Sequence, residues 1–234
     1  IGATTVEAQQ NVGITIAQQV IKGIKGEIVP NAVNLPTIHR DELKEIKPYI
    51  DLMEQLGKIY YQINKEAVKF VEITYWGEIA CQDTEMVTIA FTKGLLEPVI
   101  SDRVNYINAR LKAKESGIGI TIKITDNKCG IFTLSGTLST KGEGKIVEVL
   151  GYEVDVKPTD YMLFLQNKDV PGVIGQVGTF IGNENINVAT MQVGRKLKGD
   201  KALMILNIDD RIDKKALDKF VSIDNIIWAK VIEL

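Results

Sequence analysis

The most informative stretch of the chain is NKDVPGVIGQVGTFIGNENINVATMQVGR, residues 167–195. A turn over residues 169–172 leads into an apolar segment over residues 173–181, which has helical periodicity and ends at a Gly-Asn pair. Residues 186–195 follow and have the composition of a strand. The stretch is therefore predicted as turn, helix and strand in that order.

Further elements complete a unit around this stretch. We predict a strand before it and a hairpin partner, a helix and a final strand after it, over residues 161–166, 201–208, 213–221 and 226–232. The order β-α-β-β-α-β is the ferredoxin-like arrangement, in which both helices lie on one face of the sheet. Such a unit leaves sheet edges and one face open, and we expect these to pair with a second copy.

Residues 27–158 alternate between helical and strand patterns and predict a mixed α/β domain. The predicted helices cover residues 41–62, 83–100 and 103–115, and the predicted strands cover residues 68–76, 118–125, 130–139 and 145–156. Turn residues at Asp126-Asn127 and Gly142-Glu143-Gly144 separate the last three strands.

Residues 1–26 are predicted as one helix with its caps. Thr4 and Glu7 have the spacing of a capping box, and Gly23 and Gly26 bracket the end of the helix. The same two glycines are the predicted hinge positions. A single helix cannot bury its own apolar stripe, so we expect this helix to be the last piece of a larger unit. The chain is thus predicted as an α/β (α+β) protein with segments 1–26, 27–158 and 159–234.

Composition excludes several classes of partner. The 234 residues carry 28 Lys and Arg against 30 Asp and Glu, so the surplus of cations that a nucleic-acid binder needs is absent. No run of residues approaches the roughly 18 apolar positions of a membrane span. Cys81 and Cys129 are far apart, which fits a reducing, cytoplasmic location.

The sequence offers little for catalysis. Its one histidine, His39, lies in a polar segment with no nearby Ser or Cys nucleophile. One His and two scattered Cys do not make a zinc site. The glycines of residues 172–178 have the wrong spacing for a dinucleotide fingerprint, and residues 142–145 are not a P-loop. We therefore expect no catalytic residue, metal or cofactor in this chain.

A binding site is predicted instead at the turn before the helix of residues 173–181. Free N–H groups and the positive end of the helix dipole suit a small carboxylate. Asn167 and Asp169 supply groups for a hydroxyl and an ammonium, and we expect Asn187, at the start of the next strand, to lie near the turn. Together these groups suit a free amino acid. The residues leave open the alternative that Asn167 and Asp169 only cap the helix.

A second cluster of polar residues lies in the middle domain. Ser135 and Thr137 belong to one predicted strand, and Lys145 and Lys157 flank the next. Hydroxyls and lysines beside a glycine-bearing strand suit a phosphate or a carboxylate. On the residues alone, a solvated strand face is the favoured interpretation.

Several segments together resemble one family, in that family's order. IGATTVEAQQNVG, at the start of the chain, resembles the segment that closes the catalytic core of D-2-hydroxyacid dehydrogenases, and GEIVPNAVN is similar to the join that follows in D-3-phosphoglycerate dehydrogenases. VNYINA, SGTL and GKIVEVLGYEVDVKP are similar to the intervening, allosteric substrate-binding domain of those enzymes. Residues 167–195 resemble an ACT domain, the amino-acid-sensing module.

The resemblance implies the regulatory part of a long-form D-3-phosphoglycerate dehydrogenase. Such an oxidoreductase converts 3-phosphoglycerate to 3-phosphohydroxypyruvate with NAD, in the first step of L-serine biosynthesis. The family's nucleotide domain and catalytic His would precede Ile1. We therefore expect this chain to be inactive alone, with NAD as the cofactor of the parent enzyme.

The resemblance also implies ligands and an assembly. In this family L-serine binds between paired ACT domains, so a homodimer, or a tetramer, is expected. Matched to the family motif, the serine site comprises Asn167, Asp169, Gly172, Val173, Ile174 and Asn187, and the site for a small anion comprises Lys145, Lys157 and Ser135. Asn167 stands where the family has His or Tyr, and Lys157 stands where it has an arginine with a bidentate grip.

Two other hypotheses remain. The small subunit of an iron–sulfur L-serine dehydratase is similar in joining such a middle domain to an ACT domain. That family has a Ser-rich, His-containing segment near its N-terminus, whereas this chain has the predicted helix of TTVEAQQNVG, which favours the dehydrogenase. A stand-alone amino-acid sensor is the third hypothesis.

Overall fold

The computed structural model of the chain describes residues 5–25, 27–29, 32–36, 38, 40–64, 68, 70–75, 77–123 and 133–234. The helices are α1 Val6–Lys25, α2 Arg40–Ile63, α3 Glu85–Leu96, α4 Ala109–Glu115, α5 Val173–Asn183 and α6 Lys214–Val221, with a 3-10 helix at Gly77–Cys81. The strands are β1 Phe70–Glu72, β2 Gly119–Lys123, β3 Leu134–Leu138, β4 Gly144–Val149, β5 Tyr152–Val156, β6 Tyr161–Lys168, β7 Val188–Arg195, β8 Lys201–Ile208 and β9 Ile226–Glu233.

The C-terminal domain, from β6 to β9, has the predicted β-α-β-β-α-β order. Its antiparallel sheet has the strand order β7-β8-β6-β9, so β6 is central and β7 and β9 are edges. Leu163 and Leu165 of β6 pack with Val177 of α5 and Phe220 of α6 in one apolar core. The α/β fold class and the ferredoxin-like arrangement are thus confirmed.

The second face of this sheet is covered, contrary to our expectation that it would be open. Phe164 of β6 and Ile205 of β8 belong to a core that also contains Leu56 of α2 and Ile146 and Tyr152 of the middle domain. As expected, β7 and β9 each pair with only one strand in the described residues, but the face is not open, because the middle domain of the same chain fills it.

The middle domain is built on the helix pair α2 and α3. The two helices touch backbone to backbone at Gly57 and Gly94, where a Cβ atom on either glycine would collide with the main chain of the opposite helix. Pro48 lies inside α2 without interrupting it. Beside the pair, β3, β4 and β5 form an antiparallel sheet, and β1 pairs with β2 in parallel.

Several predicted elements differ from those in the structure. The strand predicted over residues 145–156 is a hairpin of β4 and β5, because Leu150 and Gly151 both take positive φ, +53° and +73°, and turn the chain. The strand predicted over 68–76 is shorter in the described residues, and the helices predicted over 83–100 and 103–115 are reduced to α3 and α4. The turn at Asp126-Asn127 and the start of the strand predicted over 130–139 lie outside the described residues.

The N-terminal helix is confirmed as α1, and Thr5 caps its first turn. The hydroxyl of Thr5 accepts a hydrogen bond from the Ala8 backbone N–H at 3.2 Å. Thr4, Gly26, His39 and Cys129 lie outside the described residues. Gly23 lies inside α1, near its end at Lys25, and the hinge assigned to Gly23 and Gly26 stays a prediction. None of the residues of α1 is buried, so its apolar stripe has no cover among the described residues.

Candidate functional site

The predicted ligand-binding turn follows β6 and leads into α5. Gly172, which immediately precedes the first residue of α5, has φ +93°. Any residue with a side chain would be strained in this backbone conformation. The backbone N–H of Asp169 donates to the carbonyl of Asp200 at 2.9 Å, which ties the turn to the β7–β8 hairpin. The first N–H groups of α5 therefore lie at a fixed position relative to that hairpin.

Asp169 is directed at the same hairpin. Its Oδ2 accepts a hydrogen bond from the Gly199 N–H at 2.9 Å, and Arg195 Nη1 lies 3.5 Å from the same oxygen. The side chain is 23% exposed, so the carboxylate remains within reach of a ligand. Asp169 thus already holds one cation, which a ligand's ammonium would have to replace or share.

Asn167 is nearly inaccessible, at 1% exposed. Its Nδ2 donates to the carbonyl of Lys168 at 2.6 Å, and its Oδ1 has no hydrogen-bond partner. A buried carbonyl oxygen without a donor costs about 1–3 kcal/mol. In residues 133–234, which the structure describes without a gap, neither Asn167 nor Asp169 bonds the first turn of α5, so the alternative that they only cap this helix is wrong.

Asn187 lies at the opposite end of the sheet, contrary to our expectation. The register pairs Asn167 and Arg195 with the same residue, Ala202, whereas Val188, next to Asn187, pairs with Ile208. Six residues of strand separate these rows, or about 20 Å. Strands β6 and β7 run parallel to each other on either side of β8. Their first residues therefore lie at the same end of the sheet, which is the end remote from the turn. The Nδ2 of Asn187 instead donates to Asp209 Oδ2 at 2.8 Å.

In the second predicted site each group already has a partner of its own. Lys145 Nζ lies 2.8 Å from Asp155 Oδ1, and Ser135 Oγ donates to Glu148 Oε2 at 3.3 Å. Lys157 Nζ donates to Glu143 Oε1 at 2.7 Å, a bond that lowers the pKa of Glu143 below its ordinary value.

The structure brings only one of these three residues to a cleft. A cleft of about 360 Å³ lies between the first half of α2 and the β3–β4 turn, and is lined by Lys44, Lys47, Glu143 and Lys157 among others. Lys145 and Ser135 do not line it. Ser135 pairs with Glu148 and Lys145 with Thr137, so the two lie in different rows of the β3–β4 ladder.

Comparison with known protein families gives two matches. The family model of the D-3-phosphoglycerate dehydrogenase intervening domain matches residues 45–150, and that of the ACT domain matches residues 161–225. Residues 45–150 therefore belong to the family of D-3-phosphoglycerate dehydrogenase intervening domains, and residues 161–225 belong to the ACT-domain family. The C-terminal domain is accordingly called the ACT domain from here on, and the middle domain the intervening domain.

Individual relatives agree with these domain matches. The chain is 37% identical to a D-3-phosphoglycerate dehydrogenase of Bacillus subtilis over 100% of its own length and 47% of the relative's. The identity to that of Methanocaldococcus jannaschii is also 37%, with the same coverage, and to that of Synechocystis it is 32% over 100% of the chain and 45% of the relative. The chain spans about half the length of these curated relatives. These matches favour the dehydrogenase over the dehydratase subunit.

Arg195 is the residue of the ACT domain that sequence reasoning missed. It occupies the last position of β7, immediately before the hairpin that carries Gly199 and Asp200. The hairpin register, in which Arg195 opposes Ala202 and Ala202 opposes Asn167, would have identified it. The residue type alone did not indicate a ligand-binding role, because a single Arg at the end of a strand is common on protein surfaces.

Other sites are not apparent in the part of the chain that the structure describes. Within that part, no group of three His, Cys, Asp or Glu side chains is arranged to hold a metal ion. None of the helices described there is long and apolar enough to cross a membrane. Cys81 is exposed and has a free thiol.

Proposed function

We propose that this chain is the regulatory part of an NAD-dependent D-3-phosphoglycerate dehydrogenase and that its ACT domain binds L-serine. The observation that carries the proposal is the convergence of three groups at one turn: the uncapped start of α5, the Asp169 carboxylate and the buried Asn167. The parent enzyme would perform the first step of L-serine biosynthesis in the cytoplasm. NAD and the reaction itself would belong to its catalytic part.

Each polar group of L-serine has a complement at this turn. The first backbone N–H groups of α5, at Gly172, Val173 and Ile174, suit the carboxylate because of their direction and the helix dipole. Asp169 suits the ammonium. The unpaired Oδ1 of Asn167 suits a donor such as the serine hydroxyl. Because Asn167 is only 1% exposed, binding would require the turn around it to open, and the new hydrogen bond would remove the cost of leaving that oxygen unsatisfied.

A second copy of the ACT domain supplies what one copy lacks. Strand β7 is an edge, paired with β8 alone in the described sheet, and so it can pair with β7 of another molecule. An antiparallel pairing about a two-fold axis near Met191 would place Asn187 of one copy beside Arg195 of the other. We therefore keep Asn187 as a ligand-binding residue, but across a homodimer, or within a tetramer, rather than within one chain.

Regulation would follow from this shared site. Serine held between two ACT domains favours the paired arrangement and thereby changes the equilibrium between orientations of the attached domains. The end product of the pathway would in this way act on the enzyme without touching its reacting atoms.

A second ligand is proposed for the intervening domain. Lys157, with Lys44 and Lys47 in the same cleft, suits a phosphate-bearing anion, and such an anion would have to displace Glu143 from Lys157. Lys145 would join only after release from Asp155, and Ser135 after a larger rearrangement. Of the residues assigned to this anion, Lys157 therefore has the best support.

Calorimetric titration tests the serine site. We expect L-serine to bind saturably at about one site per chain, with glycine and D-serine binding at least about tenfold more weakly, a factor that corresponds to the loss of one hydrogen-bonded group. Asp169→Ala should abolish the binding signal, and Asp218→Ala, which removes an exposed carboxylate on α6, should leave it unchanged. Equal binding by Asp169→Ala and the unmodified chain would refute the assignment.

A further inference from the structure

Tyr152 of the intervening domain is held by two side chains of the ACT domain. Gln166 Nε2 of β6 donates to the Tyr152 hydroxyl at 3.2 Å. Lys196, which follows β7, places its Nζ 4.7 Å from the centroid of the Tyr152 ring. Tyr152 is only 6% exposed, so these contacts occur with little competing water. The phenol is thus fixed at both its polar end and its ring face.

Lys196 also holds the turn that precedes Tyr152. Its Nζ donates to the carbonyl of Leu150 at 2.8 Å. Gly151 makes this contact possible, because a Cβ atom there would lie 2.6 Å from Lys196 Nζ. One ammonium therefore binds the β4–β5 turn by a hydrogen bond and by a cation–π contact at the same time.

The backbones of the two domains approach closely at the same place. A Cβ atom on Gly194 would lie 2.7 Å from the carbonyl oxygen of Glu153, so only glycine lets β7 and β5 cross at this distance. Three consecutive residues thus have three connections: Gly194 to β5, Arg195 to Asp169, and Lys196 to the β4–β5 turn.

Both contacts to Tyr152 start beside the candidate serine site. Gln166 is the neighbour of Asn167 in β6, and Lys196 is the neighbour of Arg195, whose guanidinium lies at the Asp169 carboxylate. A change at Asp169 that moves Arg195 also moves the attachment point of Lys196, because the two residues are joined by a single peptide unit.

We propose that Tyr152, held by Gln166 and Lys196, couples the state of the Asp169 site to the intervening domain within one chain. When a ligand's ammonium takes the place of Arg195 on Asp169, the end of β7 shifts. The contacts of Lys196 with the Leu150 carbonyl and the Tyr152 ring then change. The ligand-dependent half of this inference rests on the proposed serine site, whereas the coupling between Asp169 and Tyr152 does not.

The coupling is tested first without any ligand, by a double-mutant cycle read by hydrogen exchange of the backbone amides of residues 144–156. Asp169→Asn weakens the Arg195 contact and should change these exchange rates by about threefold or more, the size of a coupling of several tenths of a kcal/mol. The same substitution in a Lys196→Met background should change them by much less. Lys198→Met, an exposed lysine of the same hairpin, is the matched control background and should preserve the full effect.

Two outcomes of the double-mutant cycle would refute the coupling. Equal effects of Asp169→Asn in the Lys196→Met and Lys198→Met backgrounds, or no effect in either, would overturn the proposed coupling. Circular dichroism of each variant checks that the fold is retained, and Tyr152→Phe provides a milder substitution, which removes only the hydroxyl bonded to Gln166.

The ligand-dependent half is tested by repeating the exchange measurement with L-serine. The unmodified chain should respond over residues 144–156, whereas Tyr152→Phe and Lys196→Met should bind serine with calorimetric affinity within about threefold of it and respond less. An undiminished response in both variants would overturn the inference. If the unmodified chain binds no serine, the proposed function fails, and the ligand-free cycle alone then decides the coupling.

Discussion

Glu54 shows how much a single partly buried charge can organise in this molecule. Its carboxylate, between α2 and α3, accepts hydrogen bonds from the Lys93 ammonium and from the Tyr106 hydroxyl, the latter at 2.6 Å. Burial alone would raise the pKa of Glu54, but the hydrogen bonds and charges of Lys93, Tyr106 and Lys58 outweigh it and lower the pKa below 4.5. The ionised form is therefore the one that the fold stabilises.

We predict that Glu54→Gln destabilises the chain by about 3 kcal/mol at neutral pH, because it removes the nearer counter-charge of the buried Lys93 ammonium and leaves only the Glu97 carboxylate, at 3.5 Å. A carboxyl whose pKa is lowered by folding contributes stability above its unfolded pKa and loses it as the pH falls through the folded pKa. The difference in free energy of unfolding between the unmodified chain and Glu54→Gln, measured by urea unfolding, should thus be constant above about pH 5 and should become smaller below it.

Glu45→Gln, an exposed carboxyl on the same helix, is the control and should change the free energy of unfolding by less than about 0.5 kcal/mol. A gap between Glu54→Gln and the unmodified chain that stays the same from neutral to acid pH would contradict the role assigned to the ionised carboxylate.

At the residue scale, the sequence predicted identities better than positions. Asn167 and Asp169 lie at the turn before α5, as predicted, because a turn before a helix needs few neighbours to be recognised, while their role as ligand-binding residues stays a prediction. Asn187 was placed at the wrong end of the sheet, and Arg195 was missed, because both depend on the register of β7 against β8. Register is set by packing across the whole sheet, which a local motif does not contain.

At the scale of single elements, α2 and α3 depend on having no side chain where they cross. A Cβ atom on Gly94 would overlap the backbone of Glu54, and one on Gly57 would overlap the backbone of Phe91. Close approach of this kind also aligns Glu54 with Lys93. The two glycines are thus required by the helix pair, although glycine lowers the intrinsic stability of each helix.

We predict that Gly94→Ala destabilises the chain by about 2 kcal/mol or more, because the helices must separate and their contacts loosen. Gly178→Ala, in α5, is the matched control, since a Cβ atom there meets nothing within 4 Å. The control should gain up to about 1 kcal/mol from helix propensity. Thermal and urea unfolding measure both, and a stabilising effect of Gly94→Ala would contradict the close crossing.

Element prediction failed where an apolar residue makes a turn. Leu150 has φ +53°, although leucine gives no turn signal, and so β4 and β5 were predicted as one strand. By contrast, Gly142, with φ +76°, marked its turn correctly, because glycine adopts this conformation without strain. A turn held by tertiary contacts, such as that of Lys196 with Leu150, leaves little trace in local sequence.

For the molecule as a whole, the sheet of the ACT domain separates two apolar cores and contributes residues to both. Residues 162–165 of β6 are all fully buried, Leu163 and Leu165 against α5 and α6, and Met162 and Phe164 against the intervening domain. A continuous apolar run is typical of a strand covered on both faces. The sequence MLFL thus contained the signal that the second face is covered, and our expectation of an open face overlooked it.

This shared core predicts that the two domains unfold together. Phe164→Ala should lower the free energy of unfolding by about 3–5 kcal/mol, since it removes a buried ring between the domains. Hydrogen exchange under native conditions should then become faster by the same factor in α2 and in β8, on opposite sides of the cavity. Ile174→Ala, at an exposed position of α5, should leave both elements unchanged. Faster exchange in β8 with none in α2 would show that the ACT domain opens independently, and would contradict the prediction that the two domains unfold together.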